Sequence, residues 1–242
     1  MNNLSGAPAI FELNPYEQHN VQMHQLGARG VAPNGDIYRY TRLAADVSAG
    51  YLLTALAKEA NHVNLALSAA AAIGDKVIYP TTGATAVDAH EYDEGIVNFN
   101  DVSPEGEWYT ISAHEANAGS LVTTVHISPS LKTAATTSSE VSLIRNPWNR
   151  PAVSQLIAER AAGVTVQDWD VSANDYGWLK TRGLCSVLVD TQNITKGYRA
   201  TISDSVNGAV GVMSDLDAEC EVGQMIDTGT ATEFNAIYLT ID

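Results

Sequence analysis

Pro33-Asn34-Gly35-Asp36-Ile37-Tyr38-Arg39-Tyr40-Thr41-Arg42-Leu43 sets a turn directly before an extended run. Proline presets φ, and Asn-Gly supplies the left-handed conformations that a tight hairpin turn demands. The run that follows carries Ile, Thr and two tyrosines, side chains that fit a pleated, half-buried surface. The stretch predicts a β-hairpin.

Patterns of the same kind recur downstream. Strands are expected at 76–79, 96–99, 108–112, 121–127, 141–144, 164–169, 176–181, 184–189, 198–203, 206–213 and 237–241. In the last of these Ile237, Leu239 and Ile241 face one way and Tyr238 and Thr240 the other. Short strands divided by Gly, Asn, Asp and Ser predict a mainly β chain of antiparallel sandwich or barrel modules with little helix. Upstream of the turn, the polar Asn- and Gln-rich sequence has no sustained apolar period and predicts an extended N-terminal arm. The expected organisation is an arm over 1–36, a β domain over 37–150 and a C-terminal β-barrel or sandwich over 151–242.

Two segments depart from this pattern. Leu52 to Ala72 and Pro151 to Ala162 are rich in Ala and Leu, and Pro151 and Gly163 could open and close a helix. Small residues also line crowded sheet interfaces, so both readings stay open. Asp46-Val47-Ser48-Ala49, Asp101-Val102-Ser103-Pro104 and Asp170-Val171-Ser172-Ala173 echo one another at unequal spacing. Their aspartates suit turns in which a carboxylate accepts from backbone N–H groups.

The 242 residues are 45% hydrophobic and 17% charged, enough to bury roughly 70–75% of the unfolded surface. The 13 basic against 28 acidic residues give a formal charge of -15, which opposes the counterion release behind most nucleic-acid affinity. No nucleic-acid partner is expected. The start carries no basic-then-apolar signal pattern, and no apolar run of about 18 residues suggests a membrane span. Cys185 and Cys220 make no disulfide framework and no zinc spacing.

No hydrolase, P-loop, zincin or dinucleotide motif is present, so no enzyme activity and no cofactor is expected. His19 and His24, in the polar arm, read as solvated loop histidines, with metal binding as the alternative. Asp215, Asp217, Glu219 and Glu221 alternate, so on a strand they would share one face, either as a cation site or as a solvated acidic edge. Asp168 with Asp170, or Glu91 with Asp93 and Glu94, could supply paired carboxylates for glycoside hydrolysis, which needs a separation that no sequence displays. Trp108, Tyr109, Trp148, Trp169, Tyr176 and Trp178 could stack on sugars or pack in a core. Because interfaces favour Trp, Tyr and Arg, the interface candidates are Trp148 and Arg150, with Tyr38, Tyr40 and Trp178.

Five stretches together resemble a known group: Gly30 to Tyr40, Tyr92 to Ile96, Gly106 to Ile111, Ser138 to Leu143 and Tyr176 to Gly183. They are similar to virion structural proteins of tailed bacteriophages, most of all the capsid decoration, or cement, proteins. The resemblance implies a protein on the outer face of the capsid, commonly a homotrimer, that reinforces contacts between major capsid protein subunits. It brings no catalytic residues. A glycan- or receptor-binding virion module is the alternative reading.

Overall fold

The computed structural model describes residues 13–153, 160–171, 175–214 and 219–242. It is nearly all β, with 42% strand and 1% helix. The strands are β1 (Arg29–Val31), β2 (Ile37–Leu43), β3 (Leu52–Thr54), β4 (Leu65–Ala66), β5 (Val77–Ile78), β6 (Ile96–Asp101), β7 (Trp108–His114) and β8 (Val125–Ser128). They continue as β9 (Glu140–Ile144), β10 (Ala161–Val164), β11 (Asp175–Leu188), β12 (Arg199–Ile202), β13 (Val210–Val212), β14 (Glu221–Met225) and β15 (Phe234–Thr240).

The chain divides into two compact units, one formed by the segment ending at Leu56 with Arg150–Asp242, the other by Ala57–Asn149. This differs from the serial arrangement expected. The reason is β2, which pairs antiparallel with β11, Tyr40 opposite Trp178, and so ties residues 37–43 to the C-terminal strands. The second unit is an insertion between the two segments of the first.

The first unit holds a nine-stranded sheet in the order β1-β2-β11-β15-β14-β12-β13, with β10 pairing to both β11 and β3. One of the two sheets is a half-barrel. The opening hairpin forms as expected: β1 and β2 pair antiparallel, and the turn holds Gly35 at φ 86 with Asn34 Oδ1 accepting from the Asp36 N–H. The core gathers Val187, Val189, Ile202, Val222, Ile237 and Leu239. The inserted unit holds a six-stranded sheet in the order β4-β9-β6-β7-β8-β5. Its core includes Ile78, Val97, Phe99, Ile111, Val125 and Leu143.

Residues expected to form a free arm are packed instead. His19 bridges Tyr176, its N–H donating to the Tyr176 carbonyl over 2.8 Å, and Arg29–Val31 supply the edge strand β1. Residues 1–12 of the arm lie outside the described residues. The Leu52–Ala72 segment is not an α-helix; it contains β3, a 3₁₀ turn at Ala60–His62 and β4. Of the second helix candidate, Ala161 and Ala162 open β10 and residues 154–159 lie outside the described set.

Isolated antiparallel bridges tie corner loops in both units: Val47 with Trp169 and Ile194 with Gly229 in the first, Ala71 with Ala135 and Val87 with Asn117 in the second. At the first corner the aspartates act reciprocally. Asp168 Oδ1 accepts from the Ala49 N–H and Asp46 Oδ1 from the Val171 N–H, each over 2.8 Å. The repeated Asp-Val-Ser pattern is thus corner chemistry at Asp46, and Asp101 Oδ1 likewise accepts from the Val102 N–H. Ser172 and Ala173 of the third copy lie outside the described residues.

Candidate binding surface

The 14-residue strand β11 is shared between two neighbours, β2 along its first half and β15 along its second. Its register shifts between Lys180 and Arg182, where the expectation had been two strands. A bulge bends a strand and re-aims its side chains. The extra residue is Thr181; two residues further on Gly183 holds φ 107, and a Cβ there would collide with the Asp36 carboxylate.

Beyond the bulge the outer face of the sheet mixes apolar and polar side chains, with Arg182, Leu184 and Ser186 outward on β11. In β15 Ile237 and Leu239 are fully buried while Phe234, Ala236, Tyr238 and Thr240 alternate outward. Tyr238 stands opposite Leu184 on one side and Gln224 on the other, and Gln224 stands opposite Arg199, so one row crosses four strands. Leu184 is 59% exposed and Phe234 50%. Phe234 lies against Gly50, where an added Cβ would come within 2.6 Å of the ring, so that glycine is required for the close approach.

Next to this row is a cleft of about 380 Å³ lined by Tyr16, Tyr38, Gly50, Lys180, Leu184 and Phe234. The Lys180 ammonium in its wall is not a free charge, because it donates to Asp36 Oδ2 and to the Leu184 carbonyl. Cys185 also borders the cleft, and burial pushes its thiol up to about 11. That removes it as a nucleophile near neutral pH. At the far end of the row Arg199 pairs with Glu221 at 3.3 Å, an exposed pair of small energetic value.

Tyr38, Tyr40 and Trp178 are not surface anchors, which corrects the interface reading. Tyr40 is 0% exposed: its hydroxyl accepts from the Met23 N–H over 3.0 Å, and its ring lies 5.1 Å from both His24 and Trp178. Two-residue alternation puts Tyr38, Tyr40 and Trp178 on the face that the N-terminal segment covers, so that segment and these aromatics form one apolar layer. His24 is part of this layer and His19 of a strand bridge, so neither is a loop histidine in solvent. Trp148 and Arg150 are both half-buried, and they belong to different units. Asn149 between them is anchored in the inserted unit, donating to the His90 and Glu91 carbonyls. Arg150 takes a left-handed φ of 58 and its N–H donates to the Arg42 carbonyl.

Of the carboxylate candidates, Asp168, Glu91 and Asp93 have partners, and Asp170 is exposed. Asp168 caps the corner described above. Glu91 is buried in the inserted unit against the Arg145 guanidinium, with the His62 ring 3.9 Å away. His62 Nε2 donates to the Thr85 carbonyl, and its Nδ1 shares a hydrogen bond of 2.5 Å with the Tyr92 hydroxyl. Burial and the Glu91 charge push the Tyr92 phenol up. Asp93 lies 2.6 Å from His90 Nδ1 and 3.7 Å from His114 Nε2, and Glu94 sits at φ 54 in the same turn. Among the described residues no group of three or more His, Cys, Asp or Glu is placed to hold a metal. Of the acidic run, residues 215–218 lie outside the described set; Glu219 accepts from Ser214, and Glu221 opens β14.

Of the six aromatics named as stacking candidates, Tyr109, Trp169 and Trp178 are buried, Trp148 and Tyr176 are half-buried, and only Trp108 is exposed. The exposed Leu184–Tyr238 pair, with Phe234 further along β15, was missed. Its signal was the alternation of 237–241, which set Tyr238 outward without naming it a surface candidate; Phe234 lies before that run. Among the described residues no helix is long and apolar enough to cross a membrane. No protein-family model matches the chain, and no curated protein or solved structure matches it either.

Proposed function

We propose that the chain is a structural protein of a tailed-phage virion, a decoration protein that binds the outer surface of the capsid and reinforces it. The observation that carries this reading is the exposed Leu184–Tyr238 pair across β11 and β15, with Phe234 exposed further along β15. Exposed apolar groups that are contiguous across strands mark a surface meant to be covered. A rigid β scaffold adds little conformational cost on binding, which suits a permanent fitting on a particle. The formal charge of -15 supports the same reading, since it disfavours adsorption to packaged DNA. The sequence resemblance supplies the partner, the major capsid protein, and the expected trimeric state.

Co-sedimentation of the chain with purified heads tests the proposal. The chain pellets with heads, and Tyr238→Asp or Leu184→Asp weakens that binding at least tenfold while leaving the fold intact. A wild-type chain that stays in the supernatant with heads overturns it.

A further inference from the structure

On the inserted unit, β7 reads Trp108-Tyr109-Thr110-Ile111, and its alternation is strict: Tyr109 and Ile111 are buried in the core and Trp108 and Thr110 face out. Trp108 is 62% exposed. Tryptophan is among the most buried residues on average, and its outward register here is fixed by the two core residues beside it. A one-residue slip would bury it only by exposing Tyr109 and Ile111.

The cross-strand neighbours of Trp108 and Thr110 are uncharged, with the partly exposed Ile96 of β6 facing Thr110 as the apolar member. Asn98 of β6 is its direct cross-strand partner, and Thr110, next on the same face, stands opposite Ser128 of β8. Directly opposite side chains have Cβ atoms about 4.5–5.5 Å apart and same-face neighbours along a strand about 6.5–7 Å. The Asn98 amide therefore lies beside the indole and the Thr110 hydroxyl one step further along the face. None of Asn98, Thr110 and Ser128 spends its side-chain polar group on a hydrogen bond with the described residues. Beyond Asn98 the amides are held in place: Asn100 Nδ2 donates to Asn64 Oδ1 over 2.8 Å, and the Ser142 hydroxyl donates to Asn100 Oδ1 over 2.9 Å. The nearest carboxylate in sequence, Glu107, is turned to the Tyr109 and Thr133 hydroxyls, which hold its carboxyl below the usual carboxylate range.

The face is therefore a neutral one on a chain of formal charge -15, with one exposed indole framed by amide and hydroxyl groups. A pyranose presents the complementary chemistry. Its C–H face stacks on an aromatic ring, and its rim of hydroxyls both donates and accepts, which amides match. An anionic ligand meets no cation here, and an apolar protein anchor would leave the amides beside the indole desolvated and unpaired, at a cost. We infer that the outer face of the inserted unit's sheet, centred on Trp108 with Asn98 and Thr110, is a binding platform for a neutral oligosaccharide.

The test titrates the full chain with neutral hexasaccharides of glucose, N-acetylglucosamine, mannose and galactose, and with a sialylated hexasaccharide as the anionic control. Binding is followed by intrinsic tryptophan fluorescence and by calorimetry. At least one neutral hexasaccharide binds, Trp108→Ala weakens it at least tenfold, Asn98→Ala weakens it severalfold, and the sialylated sugar binds no better than its neutral counterpart. Circular dichroism of both variants matches the wild type. Failure of every neutral hexasaccharide to bind overturns the inference, as does binding that Trp108→Ala leaves unchanged. Loss of head binding in Trp108→Ala without any sugar binding also overturns it, since the face would then be a protein contact. The capsid-binding surface is on the other unit, so co-sedimentation and sugar binding succeed or fail separately.

Discussion

Single residues of the inserted unit carry its buried electrostatics. Glu91 is stabilised by Arg145, whose guanidinium also lies over the Tyr92 ring at 5.8 Å and donates to the Ala57 carbonyl. Removing one member of a buried pair leaves an uncompensated charge, so Arg145→Ala costs about 3 kcal/mol in a denaturant titration, whereas Arg150→Ala costs less. His114 sets a pH dependence. Its Nε2 accepts from the Tyr92 N–H over 3.0 Å, a bond that requires the neutral ring, and burial holds its pKa below the ordinary 6.5 despite the facing charges of Asp93 and Glu91. A depressed histidine contributes stability that is complete above about pH 6.5 and is lost as pH falls through the lower folded-state value. The melting temperature therefore falls on acidification below pH 6.5, and His114→Gln reduces that fall. Cys185, pushed up to about 11 by burial, resists iodoacetamide at pH 8 in the folded chain and reacts on unfolding.

Strands show where sequence is legible and where it is not. β2 spans the residues its pattern predicts, because turn chemistry and alternation agree there. β7 and β9 were also readable, since one face is buried in each. Of the two-residue and three-residue strands, β5 fell within the expected 76–79, whereas β1, β3 and β4 were missed, being too short to show a period. β11 was divided in two at residues 182–183, while in the fold Gly183 pairs with Leu239 inside one long strand. Tyr38, Tyr40 and Trp178 read as surface residues for a related reason, although all three are buried. Composition identifies aromatics, but which face of β2 is covered depends on a distant segment, 13–28, that no local pattern connects to it. Adjacent positions of β15 test the two-faced reading: Ile237→Ala costs about 2–5 kcal/mol by opening a core cavity, while Tyr238→Ser leaves stability within about 0.5 kcal/mol. Gly223 of β14 offers a third check. A Cβ there would meet the Tyr238 carbonyl oxygen at 2.3 Å, so Gly223→Ala forces β14 from β15 and costs roughly 1–3 kcal/mol.

At the scale of the whole molecule, two units with separate cores and separate outer faces are joined in one chain, the second inserted into the first. Each core closes around its own sheet, so residues 57–149 expressed alone unfold cooperatively in a thermal melt. The mainly β, antiparallel architecture follows from the sequence, whereas the insertion does not, because strand partners far apart in the chain leave no mark on local composition. The functional account rests on the exposed Leu184–Tyr238 pair of the first unit and its proposed cover, a capsid subunit. Electron microscopy of intact particles, with the chain labelled, tests that claim most directly. The account predicts density on the outside of the head, with Leu184 and Tyr238 turned toward the capsid; label on the tail, or a head-bound chain with that face open to solvent, contradicts it.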